Sequence, residues 1–220
     1  MTFRLLVVPG IVIDRWRHTW AERRPATPLE LVQVTAAEAE PALGRDGDAA
    51  LLRLPVDKAK HHAIPLYSEQ SVVLAHRDHA LHAADELTMA ELLDLGEPLL
   101  RPLDDVLEWD QPPAGDRPET TEQAIEWVAA EVGLLVAPQS LARLYHRRDV
   151  KYKPITDAPA SQVALAWPID GHTDLVEEMI GIVRGRTANS TRGQEPKQEK
   201  KQEKKQEKKK GPASKARRPR

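Results

Sequence analysis

Residues 64–81 read IPLYSEQSVVLAHRDHAL. Pro65 holds its predecessor Ile64 out of the helical region, and Ser71-Val72-Val73-Leu74-Ala75 is an apolar run of strand length between polar clusters. The whole stretch reads as extended. A second stretch of the same character, VKYKPIT, occupies residues 150–156. One extended segment leaving half of a chain and another returning to it is what a two-lobed α/β protein needs at its hinge. Ser68 and Glu69 in the first stretch, and Tyr152 and Pro154 in the second, are the candidate hinge residues.

Upstream, FRLLVV at residues 3–8 is a strand that stops at Pro9-Gly10. Residues 13–24 carry Ile13, Trp16 and Trp20 at helical spacing among charged residues. That helix has an indole-rich face, which could fill the core, line a cleft or meet a partner subunit. LELVQV at residues 29–34 alternates apolar and polar positions and reads as a strand. Thr35, with Glu38 three residues on, makes a capping box for a helix over residues 36–43, closed by Gly44. AALLRL at residues 49–54 is a third strand, stopped by Pro55. Strand, helix, strand, helix, strand is the pattern of a parallel sheet.

Downstream, Thr88 caps a short helix over residues 89–95, and residues 98–103 read as a strand. Residues 104–118 hold Trp109 and several acidic residues, and four prolines are counted from Pro102 to Pro118 inclusive. No element is assigned there. Thr120-Thr121-Glu122-Gln123 starts a helix that Gly133 ends, and Leu134-Leu135-Val136 is a buried strand up to Pro138. Ser140 is read as the cap of a helical turn reaching Tyr145, and VALAW at residues 163–167 as a strand. The last helix spans residues 174–183, with Leu175, Met179 and Ile182 on one stripe.

In this order the pieces resemble the effector-binding domain of LysR-type transcription regulators. They are VPG at residues 8–10 and the Trp-bearing helix, ALLRLPVD at 50–57, the opening stretch, LTMAELLDLGEPLL at 87–100, TTEQAIEWVAAEVGLLVAPQSLARL at 120–144, VKYKPI and VALAW. The resemblance covers about residues 3–183. It implies a two-lobed type 2 periplasmic-binding-protein-like α/β fold, with lobe I at residues 1–72 and 155–183 and lobe II at 73–154. Lobe II is reduced, because only the proline-rich segment stands where a further helix and strand are expected. The family's winged helix-turn-helix has no counterpart ahead of residue 3, so the domain is expected to act without one.

The resemblance places a small organic ligand between the lobes, at Gly10, Ile11, Arg53, Thr120 and Thr121. Ile11-Val12-Ile13 offer no side-chain hydrogen bond where the family often has a small polar residue. For Thr120 and Thr121 a plain helix cap is favoured over ligand contact. Gly10 is a turn glycine first and a point of close backbone approach to ligand second. The expected function is a regulatory or ligand-sensing module in the cytoplasm, as a homodimer or paired with another regulator. The alternative is a non-sensing interaction protein.

No nucleophilic triad, phosphate loop or HExxH stands in a supporting context, so no enzyme and no cofactor are expected. His76, His79 and His82 are spaced three apart in a non-helical stretch, which does not converge the rings on a metal. The chain has no cysteine, which excludes disulfides and thiolate sites, and no run of apolar residues long enough to span a membrane.

The formal charge of -2 hides a split. Residues 1–183 hold 17 basic and 30 acidic side chains, net -13, and residues 184–220 hold 15 basic and four acidic, net +11. Within that tail, residues 197–208 are three copies of KQEK. As a helix these would stack like charges at i, i+4, so a disordered basic tail is expected. Lys200, Lys201, Lys204, Lys205, Lys208, Lys209 and Lys210 suit nonspecific contact with nucleic-acid phosphates. A solubilising tail is the alternative.

Overall fold

The computed structural model describes residues 1–109, 113, 115–159 and 161–186. In chain order the first elements are β1 (Phe3–Val7), α1 (Asp14–Arg23), β2 (Leu29–Gln33), α2 (Ala36–Ala42), β3 (Ala49–Arg53), β4 (His61–Glu69) and β5 (Ser71–His76). They are followed by α3 (Met89–Asp94), β6 (Leu99–Leu100), α4 (Thr121–Ala129), β7 (Leu134–Pro138), α5 (Gln139–Leu144), β8 (Val150–Pro154), β9 (Ser161–Pro168) and α6 (Asp174–Val183).

The first sheet has the order β2-β1-β3-β9-β4 and the second β6-β7-β5-β8. β1 pairs in parallel with β2 and β3, because a helix carries the chain back between each pair of strands. β9 returns from the second sheet and inserts antiparallel between β3 and β4. The helix starts follow from the sequence. Thr35 and Thr88 each close a capping box, with Glu38 and Glu91 respectively, and Thr120 and Thr173 accept from backbone N–H groups of α4 and α6.

The first core lies between the sheet and its helices, with Phe3, Leu5, Leu51 and Leu165 against Trp20 of α1 and Met179 of α6, all but closed to solvent. The second sheet is covered on both faces. Val72, Leu74 and Leu135 face Ile125 and Val128 of α4, whereas Val73, Ala75 and Val136 face Leu81 and Leu92. Residues alternate faces along a strand, so burial on both sides explains why residues 71–75 read as a continuous apolar run.

The chain leaves the first sheet at Glu69 and enters the second at Ser71, then returns between Pro154 and Ser161. The two crossings are laced together. The Gln70 side chain donates to the Ile155 carbonyl (2.9 Å), the Ile155 N–H donates to the Ser71 carbonyl (3.1 Å), and the Ser71 hydroxyl donates to the Pro159 carbonyl (2.8 Å).

Four local expectations are corrected. The stretch 64–81 is not extended throughout: β5 ends at His76 and residues 80–83 form a 3-10 turn. The strand expected over 98–103 is cut to two residues, flanked by Pro98 and by Pro102, neither of which can donate to a ladder. α4 ends at Ala129, and Glu131, not Gly133, takes the left-handed conformation (φ 59°). Gly133 serves close packing instead, since a Cβ there would stand 2.4 Å from the Pro98 carbonyl oxygen. On α6 Met179 and Ile182 are buried as expected, but Leu175 is only half-buried, and Val176 and Ile180 join the buried face instead.

Among the described residues no helix is long and apolar enough to cross a membrane. The seven tail lysines lie outside the described residues.

Candidate functional site

Arg53 closes β3, a strand whose other members are all apolar. A guanidinium in such a place must be matched by charge and hydrogen bonds to offset its lost hydration. β4 supplies the match at its last residue. Glu69 Oε2 accepts from Arg53 Nε at 2.7 Å and Oε1 from Nη2 at 3.3 Å, and the two side chains are only 3% and 5% exposed. Arg53 also donates through Nη1 to the Pro9 carbonyl (3.0 Å) and through Nη2 to Ser140 Oγ (3.1 Å). The Ser140 hydroxyl donates to Glu69 Oε1, and that of Ser161 to Oε2 at 2.7 Å.

Five segments therefore converge on one ion pair: the turn after β1, the ends of β3 and β4, and the starts of α5 and β9. Ser140 comes from the side of the second sheet. The expectation that it caps a helix is overturned, because α5 starts with no side-chain cap and the hydroxyl is turned into this cluster. Gly10 has φ +84°, and a Cβ there would stand 3.0 Å from Ser140 Oγ and 3.2 Å from Arg53 Nη2. Glycine thus lets the turn after β1 reach α5, a close approach within the protein itself.

Burial alone would raise the Glu69 pKa. The hydrogen bond and charge of Arg53, with the two serine hydroxyls, outweigh burial and hold the carboxyl below its ordinary 4.5. A depressed carboxyl contributes stability above its unfolded pKa and loses it as pH falls through the folded value. The stability difference between the native chain and Glu69→Gln should accordingly shrink as pH is lowered below 4.5. Urea titrations from neutral to acid pH would measure it, and a difference that does not change with pH would refute the assignment.

The other residues named from the sequence lie as follows. Ile11 is packed in the first core, which leaves its backbone for any ligand. Thr120 caps α4, accepting from Gln123 N at 3.1 Å. Thr121 is buried and donates to Asp104 Oδ1 at 2.9 Å. Burial lifts the Asp104 carboxyl above its ordinary range against those hydrogen bonds. Burial also raises the Tyr145 phenol, with the charges of Glu122 and Asp104 adding and that of Arg53 opposing.

Ser68 and Glu69, at the end of β4, pair with Gln162 and Ser161 of β9, while Tyr152 and Pro154 of β8 pair with Leu74 and Val72 of β5. These four residues flank the two crossings.

The three histidines are held apart by different partners. His79 Nδ1 accepts from the Leu81 N–H (3.0 Å), so Nε2 carries the proton it shares with Glu97 at 2.7 Å. His82 Nε2 bonds the His76 carbonyl (3.0 Å), and His76 faces Glu131 at 3.5 Å. Among the described residues no group of three or more His, Cys, Asp or Glu is arranged to hold a metal ion.

Sequence reasoning missed Ser140 and Ser161 as cluster members, and took Glu69 for a hinge residue without its ion pair. The available signal was Arg53 itself, a cation at the end of an apolar strand that had to find a carboxylate.

A model of the LysR substrate binding domain matches residues 11–188. The chain belongs to that family. Comparison with curated protein sequences gives no match. Among solved structures, this LysR substrate-binding domain is similar to the reduced form of OxyR, with a TM-score of 0.69 and 19% identity over 86% of this chain and 97% of that one. It is similar also to the BenM effector binding domain with its effector benzoate (0.66, 18%, over 84% and 90%). An OxyR regulatory domain variant from Pseudomonas aeruginosa gives 0.64 and 20%, over 84% and 96%. At these identities the likeness establishes the fold: two sheets joined by two crossings, the second built on four strands among the described residues.

Proposed function

We propose that this LysR substrate-binding domain is a regulatory module that senses a small organic molecule where its two lobes meet. What carries the reading is the Arg53–Glu69 cluster, which gathers polar side chains from both sheets beside the two crossings. A ligand that exchanges hydrogen bonds with Arg53, Glu69 or Ser140 changes the energy of lobe closure. The crossings flanked by Ser68, Glu69, Tyr152 and Pro154 take up the motion. The ligand's differential affinity for the two closure states is what shifts the contact to a partner, a second copy or another regulator.

A second reading rests on the same cluster. The guanidinium of Arg53 is already engaged by Glu69, Pro9 and Ser140 of its own chain. A cleft satisfied in this way suits a non-sensing interaction protein, with nucleic-acid phosphates contacted through the basic tail.

A thermal-shift screen of small organic acids and their uncharged analogues separates the two. A ligand at a hundredfold its Kd stabilises the fold by about 2.7 kcal/mol. The shift should persist without residues 187–220 and weaken in Ser140→Ala. If no compound shifts the melting temperature while the full chain binds DNA or RNA in a salt-sensitive way, sensing is refuted and the second reading stands.

A further inference from the structure

We propose that the second lobe carries a ligand site of its own, an aromatic cavity that takes a hydrophobic organic cation. A cavity of about 1090 Å³ opens beside the edge strand β6, lined by Trp109, Trp127, Met89, Leu93, Leu99 and Val132. Its volume is that of a drug-sized ligand pocket. It shares no lining residue with the Arg53–Glu69 cluster, so it stands independently of the sensing reading. Leu93 and Val132 are 61% and 48% exposed, which leaves apolar side chains facing solvent at its mouth.

One indole is fixed in advance. Trp109 Nε1 donates to Asp105 Oδ2 at 2.9 Å, and the Arg101 guanidinium lies 4.3 Å from the ring centroid while donating to the same oxygen at 2.8 Å. The fixing of this one ring lowers the entropic cost of binding against it.

The charge of the lining selects the ligand. Glu108, Asp116 and Asp157 border the cavity, against the guanidinium of Arg101, which Asp105 balances. The carboxylates attract a cation, and so does the Trp127 indole through the negative face of its ring, while Arg101 already occupies one face of Trp109. An aromatic anion of similar size meets a repulsive field.

Ethidium, a planar aromatic cation, is the probe, and the anilinonaphthalene sulfonate anion is the comparison. Each is titrated into the nuclease-treated full chain and followed by fluorescence anisotropy. The expected result is saturable one-to-one binding of ethidium, with the anion weaker by about tenfold or more. Leu93→Arg and Asp116→Lys, both at the rim, should each weaken ethidium about tenfold at unchanged melting temperature, while Ser140→Ala leaves it as it was. Absence of saturable binding, anion binding as tight as the cation's, or indifference to both rim substitutions would overturn the proposal. A change of oligomeric mass in Leu93→Arg would overturn it too, by showing that a second copy covers the cavity.

Discussion

Replacing Arg53 with alanine should cost the domain about 3–5 kcal/mol of stability, the range for removing one partner of a buried ion pair. Glu69 would remain all but closed to solvent, with two serine hydroxyls as its side-chain donors and no countercharge in the cluster. The Pro9 carbonyl loses its donor, and the contact between the turn after β1 and α5 loosens. For a domain of this size the loss lowers the melting temperature by roughly 10 °C.

The partner substitution separates charge from packing. Glu69→Ala in the native chain should cost a similar amount, but far less once Arg53 has gone, because the buried carboxylate is then already uncompensated. The apolar pair Arg53→Met with Glu69→Leu should recover most of the stability, since it needs no countercharge. Urea denaturation of the four chains gives the coupling directly. A loss below about 1 kcal/mol in Arg53→Ala would mean that the pair behaves as a solvated surface bridge.

Much of the fold was legible because it is encoded locally. Thr35 announces α2 through Glu38 three residues away, and Ser71–Ala75 announces β5 because both of its faces are covered. The cluster was not legible, because its members are bound by partners distant in sequence. Ser140 and Glu69 are 71 positions apart, and Ser161 and Glu69 are 92 apart. Near a helix start a serine reads as a cap, and only the tertiary fold reveals that its hydroxyl is needed elsewhere. Gly133 illustrates the same limit: a glycine just beyond a helix suggests a terminator, yet this one answers to Pro98, some 35 residues upstream.

The two indoles of α1 posed a choice between core, cleft and interface that helical spacing could not make. Their positions in the fold divide the roles. Trp20 is 1% exposed, stacks on Phe3 at 4.7 Å and donates from Nε1 to the Thr27 carbonyl at 2.9 Å. Trp16 is half-buried and packs at the margin of the same core. Trp20→Ala should therefore cost about 3–5 kcal/mol, through lost ring contacts and the cavity left against β1. Trp20→Phe should cost less, since it keeps most of the stacking and gives up the bond to Thr27. Trp16→Ala should cost less than Trp20→Ala in the isolated domain, and if α1 meets a partner subunit it should also weaken assembly. Denaturant melts at two protein concentrations, with sedimentation of the same samples, separate these effects. A Trp16 loss equal to that of Trp20, with no change in assembly, would mean that both indoles belong to the core and that α1 offers no docking face.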